Sequence, residues 1–214
     1  MESISAFDTQ AEEYNHWYQE EPGSLIFESE VKAIQALDPR GLGVEVGVGT
    51  GMFSARLDVF LGLDPSSKMV KIASGRGVNV AQSLGEFLPV KSECLDYALL
   101  TFTICFLREP RQTLGEIWRV LKHRGLLIVC FIPRYSEWGK LYSEKGAEGH
   151  RLYRYANFYT LQEVEEMLKE TGFKPDQYSA TLSQSPQTVQ RIEDPSKDLT
   201  EKGIICVRAK RFNQ

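Results

Sequence analysis

No apolar run in this sequence approaches the roughly 18 residues that a membrane-spanning helix needs. The segment Met1 to Asp8 lacks the basic and apolar regions of a secretory leader. A cytoplasmic protein with no membrane span is expected. Basic excess is also missing: 25 lysines and arginines stand against 29 acids, a formal net charge of -4. Counterion-driven association with nucleic acid is therefore not expected. Arg151 and Arg154, with Lys140 and Lys145 upstream, are the best local exception, and read as a solvated face. The four cysteines, Cys94, Cys105, Cys130 and Cys206, form no CxxC pair. They read as buried small hydrophobes in a reducing compartment, not as a disulfide framework or a zinc site, and no metal is expected.

What is present is an alternation of short apolar runs and helical patterns, without internal repeats. At 214 residues the chain suits one α/β domain with small attachments. Val44 to Val46, Val59 to Leu63, Val78 to Ala81, Leu95 to Thr101 and Leu126 to Ile132 read as five strands. Their continuous apolarity suits a parallel sheet covered on both faces. Ser66 to Ala73 reads as a helix opened by a serine N-cap, and Pro110 to Lys122 carries the stripe Leu114, Ile117, Val120, Leu121. A helix over Leu161 to Thr171 ended by Gly172, a strand near Phe173 to Ala180 and a last strand over Gly203 to Ala209 complete the pattern. Right-handed crossovers place helices on opposite faces, a doubly wound architecture.

Two segments stand outside this alternation. Residues 1–37 read as an N-terminal helical lid, broken at Glu20, Glu21, Pro22 and Gly23, ahead of a main domain over residues 38–214. Residues 133–158 form a long polar and aromatic stretch, expected to be a substrate-binding insert. Its tyrosines could cage a cationic amine, hold a flat ring, or pack the insert on the domain.

After the first strand comes Glu45-Val46-Gly47-Val48-Gly49-Thr50-Gly51, a turn through which a ligand can approach the backbone. Beyond it, Asp64 ends the second strand in Leu63-Asp64-Pro65-Ser66, placed to accept both ribose hydroxyls of an adenosine or to cap the next helix, a job open to Ser66. A dinucleotide-dependent oxidoreductase is disfavoured. Met52 stands where the G-x-G-x-x-G pattern wants a small residue, and Glu45 suits an ammonium better than a pyrophosphate. S-adenosylmethionine has that ammonium and no phosphate.

Here the sequence resembles the class I S-adenosylmethionine-dependent methyltransferases, and among them the small-molecule enzymes related to the ubiquinone and menaquinone methyltransferases. Val44 to Leu57 is similar to the family's first motif, Leu63-Asp64-Pro65-Ser66 with Met69 to its second, and Glu86-Phe87-Leu88-Pro89 followed by Leu95-Asp96 to its third region. Pro110, Leu114, Glu116, Ile117, Arg119, Val120, Leu121 and Gly125 match the helix and turn before the fifth strand. The resemblance runs from about Phe7 to Phe173. It implies a Rossmann-like, mostly parallel seven-stranded sheet whose last strand is antiparallel. It also implies S-adenosyl-L-methionine as cofactor, S-adenosyl-L-homocysteine as product, and a small-molecule acceptor with an N, O, S or C nucleophile unresolved.

By the same resemblance Glu45, Gly47, Gly49 and Gly51 line the methionine portion and Asp64 holds the ribose. Pro65 and Met69, next to Ser66, pack near the adenine, with Gly85 and Glu86 along its edge. Thr101 and Thr103 face the methionine half and the acceptor. Phe7, Ala11, Tyr14 and Trp17 resemble the family's opening helix, with Tyr14 over the cofactor. Three positions depart from the pattern: Leu84 stands for an aspartate at the adenine amine, Phe106 for a histidine after the fourth strand, and His123-Arg124-Gly125 for Pro-Gly-Gly. Candidate bases and acceptor contacts are Tyr14, His16, Tyr135, Glu137, Tyr142, His150 and Tyr153, while His123 is expected in a turn remote from the pocket. Two other readings remain open, a non-catalytic S-adenosylmethionine-binding module and a methyltransferase acting on RNA or protein. A monomer or homodimer is expected.

Overall fold

The computed structural model describes residues 2–212. Two helices come first, α1 (Glu2–Trp17) and α2 (Gly23–Gln35), parted at the Glu20–Gly23 break that the proline and glycine announce. The sheet then builds by alternation: β1 (Gly43–Val46), α3 (Met52–Leu57), β2 (Leu61–Asp64), α4 (Ser67–Gly75), β3 (Val80–Gln82), β4 (Leu95–Thr101), α5 (Pro110–Val120), β5 (Leu121–Phe131). After β5 come α6 (Glu137–Ala147), α7 (Leu161–Glu170), β6 (Phe173–Thr181) and β7 (Ile204–Arg211).

The seven strands lie in the order β3-β2-β1-β4-β5-β7-β6. The β1 to β5 pairings are parallel, and β7 runs antiparallel between β5 and β6. This is the expected doubly wound, Rossmann-like sheet with an antiparallel last strand. Strand alternation divides the core in two. Ala98 and Leu100 of β4 pack with Leu114 and Ile117 of α5 and Val164 and Leu168 of α7. Tyr97 and Leu99 point the other way, onto Phe27, Val31 and Ile34 of α2, Phe53 of α3 and Trp138 and Tyr142 of α6. The topological switch lies between β1 and β4, so the carboxyl ends of these strands open the crevice where open α/β sheets bind ligands.

Local chemistry sets the helix starts. Ser66 caps α4, its side chain accepting from Met69 N–H at 3.2 Å. Pro110 sits in the first turn of α5, where its missing N–H costs nothing. Thr160 and Glu163 form a capping box on α7, and Gly172 follows its end at φ +86°. The long segment before α7 is ordered by α6, capped by Ser136. Among the described residues no helix is long and apolar enough to cross a membrane.

Three expectations are corrected. Cys130 and Cys206 do not read as separate hydrophobes: they are joined in a disulfide. They are direct register partners on the antiparallel β5–β7 pair, fully buried on the α2 face, and 76 residues of separation hid that pairing from a reading of spacing. Cys94 and Cys105 are free. The fifth strand begins at Leu121, so α5 stops at Val120. His123-Arg124-Gly125 is therefore not a turn ahead of the strand. It is an irregularity within it, with Leu95 opposite Leu121, Tyr97 opposite Leu126 and Arg124 at φ +60°.

Candidate functional site

A cavity of about 480 Å³ opens at the carboxyl ends of β1, β2 and β4. Its floor is the loop from Glu45 to Thr50, one side is Asp64 to Ser66 with Met69, the far edge is Ser83 to Phe87, and Thr101 to Thr103 close the back. The roof is α1, which contributes Ser3, Ile4, Phe7 and Tyr14. Of the thirteen cofactor-binding residues expected from sequence, the structure brings twelve to this wall: Tyr14, Glu45, Gly47, Gly49, Asp64, Pro65, Ser66, Met69, Gly85, Glu86, Thr101 and Thr103. Gly51 is not among them. Its φ is +79°, and an added Cβ would lie 2.8 Å from the Ala73 Cβ, so its role is close packing of the loop on α4.

The loop is held from below. Leu63 O accepts from both Gly47 N–H (2.7 Å) and Val48 N–H (2.9 Å). Asp64 is drawn into the turn by two backbone donors, Gly49 N–H on Oδ2 and Ser66 N–H on Oδ1, each at 2.9 Å. Each carboxylate oxygen retains a lone pair for a further donor. Burial pushes the Asp64 carboxyl up to about 6 despite those bonds. Glu45 is fully buried at the end of β1 and accepts from Ser54 Oγ at 2.6 Å and from Thr101 Oγ1. Burial raises its carboxyl to about 7, with the Asp64 charge a smaller push in the same direction. The result is two buried carboxyls at one crevice, with no basic side chain among the causes of either shift.

Whether an adenosyl amino acid suits this crevice can be judged from two features. Thr50 Oγ1 is buried at the cavity wall with no hydrogen-bond partner, an unmet polar group of the kind a ligand satisfies. A Cβ built on Gly49 would meet nothing closer than Tyr14, at 4.0 Å, so the loop backbone faces open space here. The donor set agrees: acids for an ammonium and for ribose hydroxyls, and apolar Met69 and Pro65 for a flat base. The residues fit. At the base's edge Leu84 is 46% exposed and offers no acceptor, so the departure at that position is real in space as well as in sequence.

The roof is latched. Asp8 on α1 accepts from Ser66 Oγ (2.6 Å) and Lys68 N–H (3.1 Å), reaching the same turn that Asp64 organises. Arg76 donates to Thr50 O at 2.8 Å and also to Asn15 of α1, tying the roof to the loop. Neither latch was legible in sequence, because the partners lie 58 and 61 positions apart.

The other candidates scatter. Tyr14 lines the cavity and meets the Tyr18 hydroxyl at 3.3 Å. His16 points to solvent beside Glu20. Tyr135 and Glu137 are exposed at the start of α6, outside the wall. His150 accepts from Leu152 and Tyr153 N–H and stacks on the Tyr153 ring at 4.6 Å, and burial lowers its pKa, a structural position rather than a base at the crevice. Tyr142 and Tyr153 stack on each other at 4.3 Å behind the wall. Phe106 does line the cavity, packed edge-on to Phe7 at 4.9 Å, which gives an apolar wall where the family pattern has a histidine. Tyr18, Phe53 and Phe102 were missed, being indistinguishable from ordinary core residues by pattern.

A methyltransferase-domain family model matches residues 44–129. A crystal structure from Thermotoga maritima, described as an S-adenosylmethionine-dependent methyltransferase and "possible histamine N-methyltransferase", superposes with a TM-score of 0.92 at 33% identity, covering 98% of this chain and 99% of that one. An uncharacterized protein of Methanocaldococcus jannaschii is 37% identical over 209 residues, 98% of this chain and all of the relative. Thermotoga maritima demethylmenaquinone methyltransferase is 31% identical over 134 residues, 53% of this chain and 58% of its own length. With that fold and that glycine-loop crevice, the chain belongs to the S-adenosylmethionine-dependent methyltransferases. It is a methyltransferase, and its fold implies S-adenosylmethionine as methyl donor.

Proposed function

We propose that this protein methylates a small-molecule acceptor, and that the crevice under α1 holds both reactants. S-adenosylmethionine supplies an electrophilic methyl on a positively charged sulfur. Glu45 meets the amino acid's ammonium, the loop from Gly47 to Thr50 carries its backbone, Asp64 takes the ribose hydroxyls, and Pro65 and Met69 sandwich the base with Gly85 and Glu86 at its edge. Residues 1–37 act as a lid, and the acceptor enters on the side of Tyr14, Phe102, Thr103 and Phe106. No fixed base is required for a free amine or a thiolate. Holding the nucleophile in line with the departing group, with water excluded by the aromatic wall, supplies much of the acceleration.

The observation that supports the reading is the pairing of Asp64 with the Gly49 and Ser66 amides, which holds an acid beside an open glycine backbone. Calorimetric titration with S-adenosylmethionine and S-adenosylhomocysteine tests it. Binding is expected, weakened in Asp64→Ala by roughly 1 to 3 kcal/mol, the scale of lost hydrogen bonds to a charged group. A folded wild type that binds neither ligand refutes it. Turnover with an acceptor panel distinguishes an enzyme from a module that binds the methyl donor only. Histamine, named for the Thermotoga maritima relative, belongs in that panel.

A further inference from the structure

Beyond the residues proposed for the donor, the cavity is walled by rings. Phe7 of α1 packs edge-on to Phe106 at 4.9 Å, Phe102 meets Phe53 at 5.7 Å, and all four line the cavity. Ile4 and Leu107 extend this apolar wall. Charge is spread unevenly around it. Glu45, Asp64, Glu86 and Glu109 line the cavity, and among the described residues Arg108 is the only cation that does. Arg108 directly follows Phe106 and Leu107 and is exposed, so it stands where the apolar wall meets solvent. It is also uncommitted. Arg111, three residues on, is held by Glu170 at 2.7 Å, and Arg119 by Glu116 at 2.6 Å. Arg108 forms no hydrogen bond or ion pair with any described residue, although Glu86 and Glu109 share its cavity wall.

A ring-lined wall ending in one free guanidinium suits a flat molecule with a negative charge at its outer end. We propose that this wall is the acceptor subsite, that Phe7, Phe102 and Phe106 take an aromatic ring, and that Arg108 selects an acceptor bearing a carboxylate. This rests on the methyltransferase reading and names its substrate class. Charge favours it twice. A guanidinium presents a planar pair of N–H donors that a carboxylate accepts together. An anionic acceptor is also attracted by the positive sulfonium of the donor, which repels an ammonium. The transfer balances with no reactant beyond the donor. The nucleophile's lone pair forms the new bond to the methyl carbon, the sulfur keeps the electrons of the bond that breaks and becomes a neutral thioether, and a proton on the nucleophile passes to solvent. The carboxylate at Arg108 anchors the acceptor and takes no part in the bond changes.

The test uses the full chain loaded with S-adenosylhomocysteine. Two ring series are titrated by calorimetry: 4-hydroxyphenylacetate, tyrosol and tyramine, and imidazole-4-acetate, histaminol and histamine. Each ring is thus offered with a negative, a neutral and a positive end. In at least one series the acid should bind about 5- to 30-fold more tightly than the alcohol, between the scale of an exposed ion pair and that of a charged hydrogen bond. The amine should bind more weakly than either. Arg108→Gln should bring the acid to within about twofold of the alcohol, with alcohol and S-adenosylhomocysteine affinities each within about twofold of wild type. Arg108→Lys, which keeps the charge and loses the planar fork, should retain part of the preference. Equal acid and alcohol affinities in both series, an amine bound more tightly than its acid, or a preference that survives in Arg108→Gln overturns the proposal. So does binding of no member of either series by protein that does hold S-adenosylhomocysteine. Failure to hold S-adenosylhomocysteine at all overturns instead the reading beneath it, and the proposal with it.

Discussion

Replacing Asp64 with asparagine changes one oxygen into an NH2 group and removes one charge, and the structure separates the consequences. Both carboxylate oxygens accept a backbone N–H at 2.9 Å, from Gly49 and from Ser66. An amide can accept only one of these and must aim its own donors at the other. One buried N–H then loses its partner, costing about 1–3 kcal/mol and lowering Tm by roughly 2–4 °C for each kcal/mol in a chain of this size. Binding loses more, because the ribose hydroxyls donate to a charged acceptor in a desolvated turn. About 1.5–3 kcal/mol, or some 10- to 150-fold in Kd, is expected. The pH dependence carries a sign. With the carboxyl raised to about 6 in the folded protein, the wild type gives up stability as pH rises from the ordinary range through 6, since the folded state holds its proton more tightly. Nucleoside affinity moves the other way, rising through pH 6 as the carboxylate forms. Calorimetry with 5′-methylthioadenosine, which keeps the ribose and base but carries no ammonium, isolates this group from Glu45. A wild-type profile that is flat from pH 5 to 8, or an Asp64→Asn affinity within twofold of wild type at pH 8, would refute the assignment.

The same ligand pair makes Glu45→Gln selective: S-adenosylhomocysteine should bind about 10- to 100-fold more weakly while 5′-methylthioadenosine is unchanged. In the wild type that ammonium-dependent part should fade as pH falls through about 7, where Glu45 takes up its proton. Asp8→Ala removes the bonds to Ser66 and Lys68 and should speed S-adenosylhomocysteine release by about 3- to 10-fold in stopped-flow fluorescence, for a latch of roughly 1 kcal/mol. Gly51→Ala meets Ala73 at 2.8 Å with φ at +79°. It should lower stability by about 2–4 kcal/mol in urea unfolding, with ligand affinity of the surviving folded fraction little altered. Thr160→Ala breaks the capping box of α7 and should cost about 1 kcal/mol in the same assay without effect on binding.

Much of the scaffold was legible because burial on both faces leaves a strand few options. The runs around Leu63 and Val129 are apolar throughout, those around Val44 and Leu99 are broken chiefly by Glu45 and Asp96, and the Pro-led amphipathic pattern of α5 admits one orientation. The cavity wall proposed for the cofactor left marks in sequence for a related reason: close backbone approach and a carboxylate after the second strand show in single residues, Gly47, Gly49 and Asp64. The apolar end of the cavity left none. Tyr18 and Phe53 lie on segments that meet only after folding. The Cys130–Cys206 bridge failed to show for the same reason, since adjacency across β5 and β7 is created by a strand inserted between β5 and β6. His16 and His150 were candidates by residue type alone, and the fold sets both outside the cavity wall.

The roof has a further consequence for turnover. Tyr14 belongs to α1, and α1 is pinned at Ser66, beside the Asp64 carboxylate. If α1 is the lid proposed above and Tyr14 faces the acceptor, the pocket is complete only after the donor has been enclosed, and the demethylated donor leaves only once α1 lifts. Steady-state patterns should be those of a compulsory sequence, donor first and spent donor last, with the helix that begins the fold also timing its cycle.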